Sequence, residues 1–306
     1  MGEFFTVGFA IILFFSMIRC ATPLIFAALG GMFSERAGVI NIALEGLMLA
    51  GAFTAAVATY ELHNPYIGFL CGLGVGAIVA LIFAIAVIKF EADQVVTGFA
   101  ISMLMLGLPA VISSRLYDSA GSTEQIPQEN LLWNIGNRIS VASILAFLLV
   151  PACWYVLYKT PFGLRIRAAG ENPEAADAAG VNVIRLRYIA VVLSGVLAAA
   201  GGAYLSIGQS SLFTRGMTAG RGYIALAELI LAKWKPIPVL LACLFFGFTE
   251  ALAIQMQGVI KMPSGEDVPV QFIQIIPYVL TIIVLAGFIG LSRAPKALGI
   301  PYRKEN

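Results

Sequence analysis

Apolar runs separated by short polar or charged groups repeat along this chain from end to end. A helix needs about 20 residues to cross an oily layer about 30 Å thick, and the runs at 39–60, 66–88, 95–116, 141–158, 188–207, 237–256 and 272–291 reach that length. The run at 4–20 is slightly shorter, and those at 24–33 and 223–232 are much shorter. The pattern predicts an all-α integral membrane fold of about ten transmembrane or broken helical segments, forming one membrane domain over residues 1–306. The breaks carry turn and cap chemistry: Glu61, His63, Asn64 and Pro65 make a tight turn, and Asp93 caps the helix after the charged group at 89–93. Residues 117–140 read as an exposed loop with Trp133 at the membrane interface.

One interruption differs in kind. Residues 161–183 form a long polar stretch with a compact helix signature: Asn172 suits the N-cap, Pro173 the first helical position, Glu174 the positive end of the helix dipole, and Gly180 the left-handed residue past the end. A two-turn helix over about 173–179 follows. Its side chains are mostly alanine, so it buries too little to be a core element, and short isolated helices are marginal in water. It is either a capped surface loop between two spans or a docking site for a soluble partner, with Gly170, Glu171, Asn172, Pro173, Glu174, Ala175, Ala176, Asp177, Ala179 and Gly180 as the contact residues.

Composition agrees with the membrane reading, since 59% of residues are hydrophobic and 12% are charged, against about 25% charged in soluble domains. A net charge of +2 says less than its distribution. With both termini and the 161–183 stretch on the cytoplasmic side, 13 of the 19 lysines and arginines fall inside, as the positive-inside rule asks. Cys20, Cys71, Cys153 and Cys243 lie in apolar runs without metal-ligand spacing and read as small core residues. The first apolar run lacks a basic flank and a small-residue cleavage pattern, so it reads as retained.

Two features point to a solute path. Short or glycine-interrupted segments in corresponding places of two halves mark such paths in transporters; here they are the stretch with Gly30, Gly31 and Gly38, and the one with Pro236 and Pro238. The correspondence is topological, without a residue-level repeat. Carboxylates inside apolar runs are the second feature, because a charge at membrane depth costs about 2.5–3.5 kcal/mol unless it faces a cavity or partner. Glu45, Glu228 and Glu250 are the cases, and Asn41, four residues before Glu45, shares a helix face with it. Each is either a solute contact or an internal clamp between helices. Gln209, Gln255 and Gln257 are weaker candidates.

No catalytic or metal-binding constellation competes. GxxxxGK[ST] and HExxH are absent, His63 reads as a solvated turn residue, and nothing supports nucleic-acid binding. The glycines at 72, 74 and 76 suit helix packing, because no strand precedes them.

Residues 35–53, ERAGVINIALEGLMLAGAF, and 160–183, TPFGLRIRAAGENPEAADAAGVNV, resemble the permease subunits of bacterial ABC importers in the ribose and nucleoside permease superfamily, nearest to its nucleoside or simple-sugar branch. The resemblance implies a multi-pass subunit of the bacterial inner membrane that imports a small polar solute, foremost a nucleoside. It further implies a second permease chain, two cytoplasmic ATP-binding subunits and an extracytoplasmic binding lipoprotein as partners. ATP and Mg would sit on the partner ATPase, with no cofactor in this chain. The 161–183 stretch then corresponds to the coupling helix that sits in a groove of the ATPase. Related branched-chain amino-acid permeases often carry histidine where this chain has Glu45, which favours a nucleoside or sugar. A secondary transporter or channel, with the intramembrane carboxylates as an ion site, is the alternative from a different class; a membrane enzyme is a poorer third.

Overall fold

The structure, a computed structural model, describes residues 7–119, 121–132, 134–135, 139–257 and 293–303, together with the helical positions 275, 279, 282 and 283. Most of the expected segment 272–291 lies outside the described residues, as does the polar stretch 258–271 before it. Among the described residues the fold is all-helical in its spans, with α1 (Val7–Arg36), α2 (Leu44–Leu62), α3 (Pro65–Ala84), α4 (Gln94–Leu116), α5 (Val141–Lys159), α6 (Pro161–Glu171), α7 (Pro173–Ala178), α8 (Val183–Ala203), α9 (Arg221–Leu231) and α10 (Pro236–Met256). Two of these, α3 and α8, run on into π-helical turns at Ile85–Lys89 and Tyr204–Ser210. Six of the described helices are long and apolar enough to cross a membrane.

Local chemistry sets the helix starts. The Asn64 side chain accepts from the amides of Tyr66 and Ile67, Asp93 from Val96, and Asn182 from Arg185, each satisfying amides that have no partner inside the helix. The two runs expected at 4–20 and 24–33 are one 30-residue helix, α1, which continues through Pro23. Inside a bundle a proline need not end a helix, because neighbouring helices support the freed backbone; Pro23 is buried, and α8 lies directly against it at Gly201.

The joining of the two runs changes the orientation of the first. In α1 Arg36 meets Trp234, just before α10, while Met17 and Ala21 meet Gly247 well inside it, so the two helices are antiparallel. The N-terminal end of α1 therefore lies opposite the α6–α7 face, and the expectation that both termini share that face is corrected. The C-terminal stretch does lie there: the Ala297 amide donates to the Gly170 carbonyl at 2.9 Å and the Gly299 amide to Gly38 at 3.1 Å. Arg303 pairs with Glu91 on the same face, which holds the Glu91 carboxyl below its ordinary value.

The core is built around α2 and α8. Every residue of α2 from Leu44 to Phe53 is buried, and α2 packs against α3, α4 and α8. Such close stacking needs small residues, because without a solvent to drive association helices in lipid gain from close van der Waals approach. Gly202 meets that need most sharply: a Cβ there would fall 1.8 Å from the Met48 carbonyl oxygen. At the end opposite α7, residues 121–132 are not simply an exposed loop. Their backbone pairs with 207–215, Ile126 and Leu132 are buried, and Phe213 packs edge-on against Phe53 at 5.2 Å.

Adding one methyl group therefore tests the α2–α8 contact. Gly202→Ala is expected to lower stability by about 1–3 kcal/mol or more, read as a drop in the thermal unfolding midpoint of detergent-purified protein. Gly74→Ala, where no described residue lies within 4 Å of the added atom, is expected to leave the midpoint unchanged.

Candidate coupling surface and intramembrane polar site

The helix predicted at 173–179 forms as α7, Pro173–Ala178. The Asn172 side chain accepts from the Ala175 amide at 3.0 Å, which caps its start. At its end Gly180, at φ +82°, allows the Gly180 amide to reach the Asp177 carbonyl and the Val181 amide to reach that of Ala176. Paired bonds of this kind close a helix on a left-handed glycine. Glu171, Asn172, Glu174, Ala175, Ala178 and Ala179 are exposed, so α7 presents a small-residue face outward.

Two residues of the predicted contact set face inward. Ala176 is buried with Ala169 and Val183, and Gly170 is buried where a Cβ would fall 2.2 Å from the Arg36 carbonyl oxygen. These two seat α7 and α6 on the body of the protein. Asp177 is half-buried and bonds Tyr302 of the C-terminal stretch; loss of water first, and then the charge and bond of Asp177, raise the Tyr302 hydroxyl above its ordinary value.

From Gly170 a chain of contacts continues to α9. The Arg36 guanidinium donates to the Trp234 carbonyl through Nε at 3.1 Å and Nη2 at 2.8 Å, and the Trp234 indole N–H donates to the buried Glu35 carboxylate. Lys233 and Trp234 both have left-handed backbone, φ +55° and +53°. Such backbone costs of order 1–3 kcal/mol per non-glycine residue and persists where its surroundings hold it; here Glu35 and Arg36 grip both sides of Trp234. The corner joining α9 to α10 is thus fastened to the same end of α1 that carries α6.

The other end of α9 is held by Glu45. Its Oε1 accepts from the Thr218 hydroxyl and from the Gly220 amide at 2.9 Å, and its Oε2 accepts from the Gly222 amide at 2.7 Å. A carboxylate at a helix N-terminus satisfies unpaired amides and sits at the positive end of the dipole. Arg221 holds the same turn from the other side: its guanidinium donates to the carbonyls of Met217 and Thr218 and forms an ion pair with Glu250 of α10. Glu45 and Glu250 therefore converge on residues 217–222. Glu228 is separate, fully buried, and accepts from the Cys243 thiol at 2.9 Å.

Asn41 does not share a helix face with Glu45. It lies in the non-helical stretch 37–43 that precedes α2, because the helix starts only at Leu44. Its amide nitrogen donates to Ser194 of α8 at 2.9 Å, and its Oδ1 is buried with no hydrogen-bond partner among the described residues. Thr218, Arg221, Ser194, Arg36 and Trp234 escape a reading of the sequence. The Thr218, Gly220, Gly222 pattern just before an apolar run was the available signal for the clamped turn.

The family of branched-chain amino acid transport system permease components matches residues 13–285. The chain is 43% identical over 303 residues to the guanosine ABC transporter permease protein NupQ of Bacillus subtilis, covering 93% of this chain and 94% of that protein. It is 39% identical to the nucleoside ABC transporter permease protein NupC of Lactococcus lactis subsp. cremoris, covering 95% and 96%. A putative glucose ABC transporter permease protein, TsgC13 of Haloferax volcanii, is 34% identical, covering 97% and 99%.

Exposure separates docking from packing on α7. Ala175→Arg is expected to abolish ATP-driven uptake with an unchanged thermal midpoint, whereas Ala176→Arg is expected to lower the midpoint as well, since it overpacks a buried site. Normal coupling in a well-expressed Ala175→Arg variant would count against docking there.

The polar site has its own pair of variants. Glu45→Gln turns an amide N–H₂ toward a backbone N–H and strands a buried donor, at a cost of about 1–3 kcal/mol, so stability and uptake are expected to fall together. Asn41→Leu removes the bond to Ser194 along with the unpaired Oδ1, so uptake is expected to fall sharply with a stability loss of about 1 kcal/mol, smaller than that of Glu45→Gln. Uptake assays paired with thermal unfolding distinguish the two patterns.

Proposed function

That the chain belongs to the family of branched-chain amino acid transport system permease components is the premise from which we propose that it is the membrane-spanning subunit of an ATP-driven nucleoside importer. The observation that carries the solute is the identity of 43% and 39%, over more than nine-tenths of the chain, to permeases named for guanosine and nucleosides. The family description names amino acids, but similarity at this level along the whole chain bears more directly on solute than membership of a broad family does.

The geometry supports an uncharged solute. The N-terminus of a half-helix at membrane depth is a ready site for an anionic group; in α9 it is already filled by Glu45. Glu250 is likewise neutralised by Arg221. Among the candidate residues three buried acceptors lack a partner among the described residues, Asn41 Oδ1, Gln209 Oε1 and Glu228 Oε1; that of Asn41, uncharged and in the non-helical stretch before α2, is the one suited to a ribose hydroxyl. Glu45 and Glu250 act as clamps that position the turn at 217–222, and Asn41 is the residue that meets the solute. Modest contacts suffice, since an extracytoplasmic lipoprotein delivers the solute already selected.

ATP and Mg bind separate cytoplasmic subunits, which dock on the exposed face of α7. A second permease chain completes the translocation path. Movement of the ATPase reaches α9 through Gly170, Arg36 and Trp234, so the half-helix is pulled at one end and pivots at the Glu45 clamp. A simple sugar is the second reading, favoured by the 34% identity to a putative glucose permease and by the hydroxyls that ribose and glucose share.

Uptake of radiolabelled guanosine by cells expressing the full transporter tests both readings. Uptake is expected to require the co-expressed ATPase, to survive collapse of the proton gradient at constant ATP, and to be competed by uridine and adenosine. Competition by glucose alone would establish the sugar reading, and uptake without any ATPase would sink the importer assignment.

A further inference from the structure

A cavity of about 260 Å³ opens between the ends of α5 and α10 on the face that carries α7, lined by Trp154, Tyr158, Lys235, Pro236, Ile237 and Pro238. Among the described residues no carboxylate lines it. Lys159 does not line it, but its amine lies 5.6 Å from the centre of the ring of Trp154, which does, and the Tyr158 hydroxyl accepts from Arg36 at 3.4 Å. Lys235 is exposed and forms the N-cap of α10 without a side-chain cap bond, so the positive end of that helix dipole adds to the field. Outward from the cavity the two helices carry exposed apolar side chains, Leu148 and Tyr155 on α5, Ile237 and Leu241 on α10.

Cations and aromatic rings at the cytoplasmic rim, over an apolar track running into the membrane, match one class of ligand. Basic pockets between membrane helices on the cytoplasmic side bind acidic lipid headgroups. We propose that this cavity holds the headgroup of an anionic phospholipid of the inner leaflet, with the phosphate between Lys235 and Lys159 and the acyl chains along α5 and α10. A zwitterionic lipid fits less well, because its ammonium would meet the same two lysines without a carboxylate to balance it. The site adjoins the α9–α10 corner: Pro236 is two residues beyond Trp234, so a bound headgroup braces the corner that Arg36 grips.

Native mass spectrometry of the purified, fully assembled transporter, supplied with phosphatidylglycerol or phosphatidylcholine, tests the proposal. Retention of phosphatidylglycerol over phosphatidylcholine is expected, weakened about fivefold by each of Lys159→Gln and Lys235→Gln. Lys235→Arg is expected to restore it, which separates a charge requirement from a packing defect, and unchanged thermal midpoints show that the variants fold. Equal retention of the two lipids, or unaltered retention in the double glutamine variant, overturns the site. Displacement by millimolar glycerol 1-phosphate assigns the cavity to free anions and also overturns it. So does an efficient cross-link from the thiol of a Leu241→Cys variant to the second permease chain, because the face is then a protein interface.

Discussion

A backbone amide at membrane depth has no water to bond, and the carboxylate of Glu45 is what allows α9 to begin there. Without it the turn at 217–222 would leave the amides of Gly220 and Gly222 unpaired in an apolar setting, each costing on the order of 1–3 kcal/mol. Much of the arrangement follows from this one contact. Gly222 has no side chain because a Cβ would fall 2.4 Å from the Glu45 backbone nitrogen. The buried charge itself is tolerable because three donors surround it, while Arg221 and Glu250 secure the outer side of the same turn.

The clamp works only if α2 stays in place, and that rests on close packing. Glu45 stands in the first turn of a helix whose first ten residues are all buried, pressed between α4 on one side and α8 on the other. Gly202 and Gly51 let the α2 and α8 backbones approach to distances that any side chain would block. The closely packed α2–α8 pair thus presents one fixed carboxylate to the short helix α9.

At the other end of α9 the contacts are of a different kind. Trp234 is gripped by Arg36 and Glu35, and Arg36 carries Gly170 of α6, the helix that leads into α7. The exposed face of α7 and the buried turn at Glu45 are therefore joined through a few close contacts and one short rigid helix. In the proposed importer this is one direct mechanical route from an ATPase to the polar site, and the grip on Trp234 holds the left-handed backbone at Lys233 and Trp234 in place.

Much was legible in the residues alone. Hydropathy gave the spans because a membrane demands about 20 apolar residues per crossing, and cap chemistry located α7, its Asn172 start and its Gly180 stop, because those bonds are local in sequence. Glu45 and Glu250 stood out because charge in an apolar run is costly anywhere. What each of them bonds was not legible: Thr218, Gly220 and Gly222 lie more than 170 positions from Glu45. Asn41 left its expected helix because α2 starts three residues later, and α1 ran unbroken through Pro23 because α8 supports it. The inward turn of Ala176 and Gly170 likewise depends on α1 and α8. Hydropathy and capping depend on neighbours within a turn or two of helix, so sequence alone determined them; which side of a helix faces a partner depends on contacts made across the bundle, and only the tertiary structure decided it.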